Sequence, residues 1–294
     1  MQAYIHRIAL LLALALPLMV LGCGDKAADT ADTLPPVDVV ACLDEPQCTT
    51  PMVIAHRGLV VTGSPENSLG ALAAAVDAGA HLVEVDVRET ADGVLVLMHD
   101  SGVERTTDGT GEVGDLTAAE VAALRLEDGS SVPTFDEAIE AAIARGVVLY
   151  VDVKTDRLDL MVAALEAPEH AAHALVRDDL SSLIQAAQLT PDLRWLVPVE
   201  HPADLDAVAV LPGLAFVEIA QLLADPELGS AAQARGWRVQ QDVFAGDLSW
   251  IGTGSTEGWK AFVDAGVQLL QTDRPDVLVQ VLAEAAKGEW PETW

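Results

Sequence analysis

From residue 52 onward the chain alternates short apolar, β-branched runs with longer Ala/Leu-rich stretches of helical period. Short runs of this kind are typical of buried strands, whereas the longer stretches are typical of amphipathic helices. Eight runs predict strands, at Met52–Ala55, Leu82–Val87, Val148–Val153, Ala172–Val176, Trp195–Val199, Ala215–Ile219, Trp237–Val243 and Val267–Thr272.

Helical patterns separate these strands, and glycines mark several of their ends. Gly79, Gly146, Gly236 and Gly266 lie between a helix and the next strand, where a left-handed C-cap is expected. Eight strands alternating with helices predict an α/β fold, a (β/α)8 TIM barrel. The predicted helices are Ser68–Ala78, Phe135–Arg145, Leu180–Leu189, Ala203–Leu211, Pro226–Arg235, Glu257–Ala265 and Pro275–Ala286.

A small insertion interrupts the alternation after the second strand. Residues 93–100 predict an extra extended segment, and the Gly-rich residues 106–113 predict a loop. The insertion follows the carboxyl end of a barrel strand, which is where barrels form their active sites.

The charge of the chain limits its partners. The 294 residues include 16 Lys and Arg against 46 Asp and Glu, a formal net charge of −30. Such a chain lacks the cations that bind nucleic acid or an anionic lipid surface, so we expect no nucleic-acid partner. An anionic small-molecule substrate would need a few local cations or a bound metal ion.

The N-terminal segment has the pattern of an export signal. The apolar run after Arg7 is too short to cross a hydrocarbon core of about 30 Å. It ends in Val20-Leu-Gly-Cys23, which resembles a bacterial lipoprotein box and implies cleavage before Cys23 and acylation of its thiol. The protein would then be exported and lipid-anchored at the cell envelope, in the periplasm or at the outer membrane. An ordinary secretory signal with a chance cysteine is the alternative.

These patterns divide the chain into four parts. They are a signal peptide at 1–22, a lipidated N-terminus and linker at 23–50, a barrel at 51–288 and a loose tail at 289–294. Export permits a disulfide between Cys42 and Cys48, and two free thiols are the alternative.

Carboxylates recur at the ends of two neighbouring predicted strands. Glu84 and Asp86 lie two positions apart on the second strand, so their side chains share one face, and Asp152 ends the third strand. Three such carboxylates would form an oxygen-rich site for a hard cation, Ca²⁺ or Mg²⁺.

Histidines and cations complete this polar cluster. His56 and Arg57 directly follow the first strand, His99 ends the extended segment of the insertion, and Lys154 follows the third strand. Histidine is suited to general acid–base work, and Arg57 and Lys154 could bind phosphate oxygens. Structural histidines, and a Lys154 that only neutralises Asp152, are the alternatives.

The motifs resemble one known family, the glycerophosphodiester phosphodiesterases. The resemblance implies a TIM barrel, one divalent metal ion and hydrolysis of a small glycerophosphodiester to glycerol 3-phosphate and an alcohol. It covers about residues 51–280, through Ile54-Ala-His-Arg-Gly, Pro65-Glu-Asn-Ser, Val83-Glu-Val-Asp-Val-Arg-Glu-Thr-Ala-Asp-Gly, Met98-His-Asp, Glu104-Arg-Thr-Thr-Asp-Gly-Thr-Gly, Val132-Pro-Thr-Phe-Asp-Glu-Ala and Ala265-Gly-Val-Gln-Leu-Leu-Gln-Thr-Asp-Arg-Pro.

The resemblance also implies a role for each matching residue. The family mechanism has a glycerol hydroxyl attack phosphorus to give a cyclic phosphate, which water then opens. Carried over position by position, the roles are acid/base catalysis for His56 and His99, metal ligation for Glu84, Asp86 and Asp152, and phosphate binding for Arg57 and Lys154.

Two positions depart from the family pattern. Asp152 replaces the usual Glu, and a shorter carboxylate suits the flexible shell of Ca²⁺ better than the strict octahedron of Mg²⁺, so we favour Ca²⁺. Trp237-Arg-Val-Gln240 stands where the family often has Trp-Thr-Val-Asn. We therefore expect Trp237 to wall the pocket and Gln240 to alter a polar contact there.

Several motif residues have structural interpretations. Glu66 and Asn67 would begin a helix, Asp100 would orient a neighbour and Asp273 would be an N-cap.

Two other functions of the protein remain open. One is action on intact or lyso-phospholipids in the manner of phospholipase D or sphingomyelinase D, which an apolar approach surface would favour. The other is a binding lipoprotein that kept the fold without turnover.

Overall fold

The computed structural model describes residues 37–60, 64–190 and 192–294. Its strands are β1 Met52–Ala55, β2 Leu82–Glu89, β3 Leu95–Leu97, β4 Val148–Val153, β5 Ala174–Arg177, β6 Arg194–Val199, β7 Phe216–Ile219, β8 Arg238–Asp242 and β9 Leu269–Thr272. Its helices are α1 Val39–Asp44, α2 Leu69–Asp77, α3 Ala118–Ala123, α4 Phe135–Arg145, α5 Leu158–Ala164, α6 Pro168–Ala172, α7 Leu180–Leu189, α8 Pro202–Val208, α9 Pro226–Gln233, α10 Phe244–Thr253, α11 Glu257–Asp264 and α12 Pro275–Ala285, with a 3₁₀ turn at Val113–Asp115.

Eight of the strands form a closed parallel barrel. Their order is β1-β9-β8-β7-β6-β5-β4-β2, and the pairing of β1 with β2 closes the ring. The short strand β3 pairs antiparallel with the end of β2 and begins the insertion. The prediction of a (β/α)8 barrel with a small insertion after the second strand is confirmed.

The apolar residues form two layers because strand side chains alternate. Outward-facing residues such as Val83, Val151 and Val197 pack under the helices. Inward-facing residues such as Ile54 and Leu196 fill the amino end of the barrel. Only the carboxyl end therefore leaves room for polar chemistry.

Helix α1 closes the amino end of the barrel. Val39, Cys42 and Leu43 are buried against the inner apolar layer, and Asp38 caps the helix by accepting the amide of Ala41. The predicted disulfide Cys42–Cys48 is present, with Cα atoms 5.4 Å apart. Residues 37–50 therefore belong to the barrel domain, which corrects their assignment to a linker. The helix is short and isolated in sequence, so its apolar face gave no periodic signal.

The predicted helices are present within a few residues of their expected bounds, and several further helices were missed. The fourth predicted strand, Ala172–Val176, starts later because α6 includes Ala172. Helix α10 is one of the helices that the sequence did not predict. A Cβ on Gly246 would collide with the Trp259 ring, so that glycine permits close helix packing.

The C-terminal residues are not a loose tail, which corrects that expectation. The backbones of Trp294 and Gly254 are hydrogen-bonded at 3.0 Å, and the Trp290 indole donates to the Thr256 hydroxyl at 2.9 Å. The Trp290 side chain packs against the core, and the backbone of Trp294 is bonded to the end of α10.

The predicted signal peptide and Cys23 lie outside the described residues. Among the residues that are described, no helix is long and apolar enough to cross a membrane.

Candidate active site

The turn after β1 presents a backbone amide to a buried carboxylate. Arg57 has a φ of +55° and Gly58 a φ of +85°. A Cβ on Gly58 would lie 2.7 Å from backbone and side-chain atoms of Ala71, so only glycine fits. The turn directs the Arg57 N–H to Oε2 of Glu84 at 2.8 Å.

The three predicted carboxylates converge at the carboxyl ends of β2 and β4. Asp86 and Asp152 are direct register partners, and Glu84 lies one inward position below Asp86. One oxygen from each of the three lies within 4.8 Å of the others. Burial and repulsion from Asp86 and Asp152 raise the pKa of the Glu84 carboxyl well above its usual range. This cluster could bind a divalent cation, since a cation offsets the cost of burying adjacent like charges.

Asn67 holds the central carboxylate of this cluster. Its amide nitrogen donates to Oδ2 of Asp86 at 2.8 Å, and its amide oxygen accepts the Asp86 N–H at 3.0 Å. Asn67 has a φ of +54°, a conformation that asparagine tolerates better than most residues. Ser68 caps helix α2 instead. Asn67 therefore orients a carboxylate of the site, beyond its expected part in a helix start.

Two cations lie beside the carboxylates. Arg57 lies 3.4 Å from Asp86 through Nε and 3.0 Å from Glu66 through Nη1. The Lys154 ammonium lies 3.5 Å from Asp86 and pairs closely with Asp152. Both predicted phosphate-binding residues thus adjoin the acidic cluster.

His56 is held by a carboxylate and an aromatic ring. Its Nδ1 lies 2.7 Å from Oδ1 of Asp273, and its ring centroid lies 4.9 Å from that of Phe244. The Asp273 backbone donates to the buried Asp247 at 2.8 Å, which fixes the turn after β9. Asp273 was expected to be an N-cap, and this is wrong, because Arg274 occupies the N-cap position of α12.

A chain of ion pairs joins the two histidine regions. His99 Nδ1 lies 2.6 Å from Asp100, whose other oxygen pairs with Arg105. Arg105 donates twice to Glu66, at 2.7 Å each, and Glu66 also accepts from Arg57. Hydrogen bonds from Arg105 and His99 hold the pKa of Asp100 below its usual range. Asp100 orients a neighbour, as expected, whereas the bridging role of Arg105 was missed.

Arg88 anchors the insertion from the barrel side. Its guanidinium donates to the His99 carbonyl at 3.0 and 2.7 Å. A cleft of about 320 Å³ lies beside it, lined by residues that include Lys154, Ser101 and Glu112. Arg88 was part of a recognised motif, but no spacing rule indicated that it would fix the position of His99.

The opposite side of the barrel mouth is also charged. Arg177 on β5 lies 2.8 Å from Glu218 on β7 and 3.3 Å from Asp152. Burial raises the pKa of Asp242, at the end of β8, to about 6. These residues carried no recognisable motif, and Arg177 and Glu218 are each the single polar position of an apolar strand.

The two residues predicted to line the pocket wall lie in different places in the structure. Gln240 is buried inside the barrel, and its amide donates to Asp242 at 3.1 Å. Trp237 precedes β8 at its amino end and lies under the Arg235 guanidinium, so it does not line the site. The five steps along the strand from Trp237 to Asp242 span about 16 Å. Trp237 therefore lies away from the pocket that the resemblance implied it would wall.

Sequence comparison finds relatives of named function. A sequence model of the glycerophosphoryl diester phosphodiesterase family matches residues 56–188. A Bos taurus protein named glycerophosphodiester phosphodiesterase 1 is 43% identical over 113 residues, which cover 34% of this chain and 33% of the relative. The chain spans a third to a half of the mammalian relatives that it matches.

A longer match decides the family. A Mycobacterium tuberculosis protein named probable glycerophosphodiester phosphodiesterase 1 is 31% identical over 264 residues, covering 74% of this chain and 94% of the relative. The chain belongs to the glycerophosphodiester phosphodiesterase family.

Solved structures of this family share the fold. A glycerophosphoryl diester phosphodiesterase from Parabacteroides distasonis is 23% identical with a TM-score of 0.69, covering 86% of this chain and 93% of that one. A phosphodiesterase from Oleispira antarctica, solved with the product sn-glycerol-3-phosphate, is 24% identical with a TM-score of 0.65, covering 81% and 99%. At these identities the likeness shows the barrel alone.

Proposed function

We propose that the protein hydrolyses glycerophosphodiesters to glycerol 3-phosphate and an alcohol. The observation that carries this proposal is the convergence of three carboxylates, two cations and a carboxylate-bound histidine at the carboxyl end of the barrel. Family membership and the Oleispira antarctica structure with its product support the same substrate class.

The histidines carry the proton transfers in this proposal. Nδ1 of His56 lies against Asp273 and Nδ1 of His99 against Asp100. Such contacts fix the ring orientation and leave Nε2 of each ring to exchange a proton with the substrate. One ring removes the proton from the attacking glycerol hydroxyl, and the other protonates the departing alcohol oxygen. The P–O bond to that alcohol breaks, and water then opens the cyclic phosphate.

The carboxylate cluster would hold one divalent cation. Glu84, Asp86 and Asp152 would be its ligands, and the ion would stabilise charge on the phosphoryl oxygens when bound. We favour Ca²⁺ over Mg²⁺, because Asp152 is short and also bound by Lys154 and Arg177, which leaves an irregular ligand shell.

Arg57 and Lys154 would hold the phosphate. Both are cations at the mouth of a molecule with a net charge of −30, where an anionic substrate meets a repulsive background. Each already contacts Asp86, so a phosphate oxygen must compete with that carboxylate. We expect substrate binding to weaken sharply when the metal is removed.

We also propose that the protein is exported and anchored through a lipid on Cys23. The lipoprotein-box resemblance supports this placement, and the disulfide is compatible with an oxidising compartment.

The decisive experiment measures glycerol 3-phosphate released from glycerophosphocholine, with and without chelator. We expect turnover that chelator abolishes and that Ca²⁺ restores better than Mg²⁺. His56→Ala should lose activity by at least about 100-fold. His173→Ala is the matched control, because His173 bonds a backbone carbonyl at the far end of the barrel.

Three results would contradict the proposal in different ways. Binding of glycerophosphocholine without turnover would favour a non-catalytic binding protein. Metal-independent turnover would remove the assigned role of the carboxylates. Equal activity of the His56 and His173 variants would remove the acid/base assignment.

A further inference from the structure

One carboxylate behind the site is buried without a cation against it. Asp247, in the first turn of α10, is 3% exposed, and it forms no ion pair with any residue that the structure describes. Burial raises the pKa of its carboxyl, and hydrogen bonds from neutral donors oppose that rise. Burying a charge in this way costs stability, so a contribution to stability alone does not explain an aspartate here.

Both oxygens of the Asp247 carboxylate accept hydrogen bonds. Oδ1 accepts from the Trp259 indole at 2.7 Å and from the Thr272 hydroxyl at 2.6 Å. Oδ2 accepts from the Asp273 N–H at 2.8 Å. An asparagine would keep only one acceptor oxygen, and its amide nitrogen would meet the Asp273 N–H as a second donor. The position therefore requires two acceptors, and the second one holds the backbone of Asp273.

The residue that Asp247 holds is the partner of the histidine. Oδ1 of Asp273 lies 2.7 Å from Nδ1 of His56. The Asp273 side chain is 62% exposed, so packing does little to fix it and its direction depends on the backbone of the turn after β9. Thr272, which donates to Asp247, also accepts the Arg274 N–H at 2.9 Å. The turn is therefore held on both sides of Asp273.

Helix α10 also contacts the histidine ring directly. The ring centroids of Phe244 and His56 are 4.9 Å apart, and Phe244 and Asp247 lie three positions apart on one face of the helix. Farther along the helix, the Trp250 indole donates to the Trp294 carbonyl at 3.1 Å, which fastens α10 to the C-terminal residues. One helix thus contacts the histidine through Phe244 and holds the partner of that histidine through Asp247.

We propose that Asp247 is a positioning residue, which holds the turn after β9 so that the Asp273 carboxylate meets Nδ1 of His56. The kinetic part of this proposal rests on the proposed function, in which His56 exchanges a proton with the substrate. Asp247 acts only through Asp273 and does not reach the substrate itself. Loss of its second acceptor lets the turn move, and a small displacement of an acid/base group slows the reaction more than it weakens substrate binding.

The first test is a double-mutant cycle in the turnover of glycerophosphocholine. Asp247→Asn should lower kcat about tenfold and change KM by less than about twofold. In an Asp273→Asn background the same substitution should lower kcat no further, because the group through which Asp247 acts is already lost. Asp247→Ser removes both acceptor oxygens of the carboxylate with a smaller side chain, and it should give the same loss of kcat if Asp247→Asn does not fold.

Trp259→Phe is the matched control for the cycle. It removes a donor to Oδ1 of Asp247 and leaves the contact of Oδ2 with Asp273 in place. It should lower the stability measured in urea and keep the wild-type kcat. Additive losses of kcat in the double variant, or an equal loss in Trp259→Phe, would overturn the proposal in favour of a purely structural carboxylate. Wild-type kcat in both Asp247 variants would overturn it as well.

The second test does not depend on turnover. NMR of the protein carrying isotope-labelled histidine detects the Nδ1 proton that His56 shares with Asp273, and His56→Ala identifies its signal. The signal should be lost in Asp247→Asn, as in Asp273→Asn, and kept in Trp259→Phe. An unchanged signal in Asp247→Asn would overturn the positioning role. Absent turnover by the wild type, together with the expected loss of signal, would refute the proposed function and leave the role of Asp247 supported.

Discussion

At the scale of single residues, the site depends on side chains that hold other side chains. Asn67 orients Asp86 through two hydrogen bonds, and Asp273 orients His56 through one. Neither residue is a proton donor or metal ligand in the proposed reaction. Each of them fixes the orientation of a residue that does have such a role. Substituting either one should therefore lower the catalytic rate more than the stability of the fold.

Asp273→Asn should lower kcat by about 100-fold with a smaller change in KM, because an amide does not hold the His56 Nδ1 proton as a carboxylate does. Asp264→Asn is the matched control, since Asp264 pairs with Lys260 on the surface. Steady-state kinetics over a range of pH would give kcat and KM for the Asp273 and Asp264 variants. An Asp273 variant with wild-type kcat and pH profile would show that His56 needs no carboxylate.

At the scale of elements, the insertion is fastened to the barrel by charge as well as by packing. Its small apolar cluster includes Met98, Val103 and Val121. Arg105 then links the insertion to the loop after β1 through Asp100 and Glu66. The positions of His99 and Arg57 are therefore coupled through one guanidinium.

Arg105→Gln should lower kcat/KM by about tenfold, because the bidentate contact to Glu66 and the pairing with Asp100 are both lost. Arg105→Lys should recover part of that loss, since lysine keeps the charge without the fork. Arg125→Gln is the control within the same insertion, where Arg125 binds backbone carbonyls. Equal kinetics of the two glutamine variants, with equal stability, would contradict the coupling.

At the scale of the whole molecule, the two ends of the barrel have opposite character. The amino end is sealed by α1, where the buried Arg238 donates to the Cys42 carbonyl at 2.8 Å and burial lowers its pKa to about 10. The carboxyl end holds the charged side chains of the site. Stability and chemistry are thus separated along the barrel axis.

The fold should lose stability in acid through one buried histidine. His81 accepts the Val53 N–H at 3.2 Å in its neutral form, and burial lowers its pKa to about 4 from 6.5. Between pH 4 and pH 6.5 the unfolded chain therefore binds a proton at His81 that the folded chain excludes. The contribution of neutral His81 to the free energy of unfolding is complete above pH 6.5 and is lost as the pH falls to 4. The free energy of unfolding should drop by about 3 kcal/mol over that range from this group.

Urea unfolding of the wild type and of His81→Gln between pH 7 and pH 4 isolates this contribution, because other titrating groups are common to both proteins. The curve of stability against pH should be steeper for the wild type. Parallel curves would show that His81 titrates normally in the folded state.

The sequence by itself determined the barrel and the main residues of the candidate site. Strand and helix periodicity placed the eight strands, since that periodicity follows from burial of one face of each element. The motifs brought His56, Glu84, Asp86, His99, Asp152 and Lys154 to strand ends or the insertion next to them.

Only the tertiary structure decided the contacts between distant segments. The pairing of His56 with Asp273 spans 217 residues, and no local pattern encodes a contact of that separation. The same holds for the sealing of the barrel by α1. The parallel pairing of β1 with β9 places His56 and Asp273, which follow these two strands, side by side.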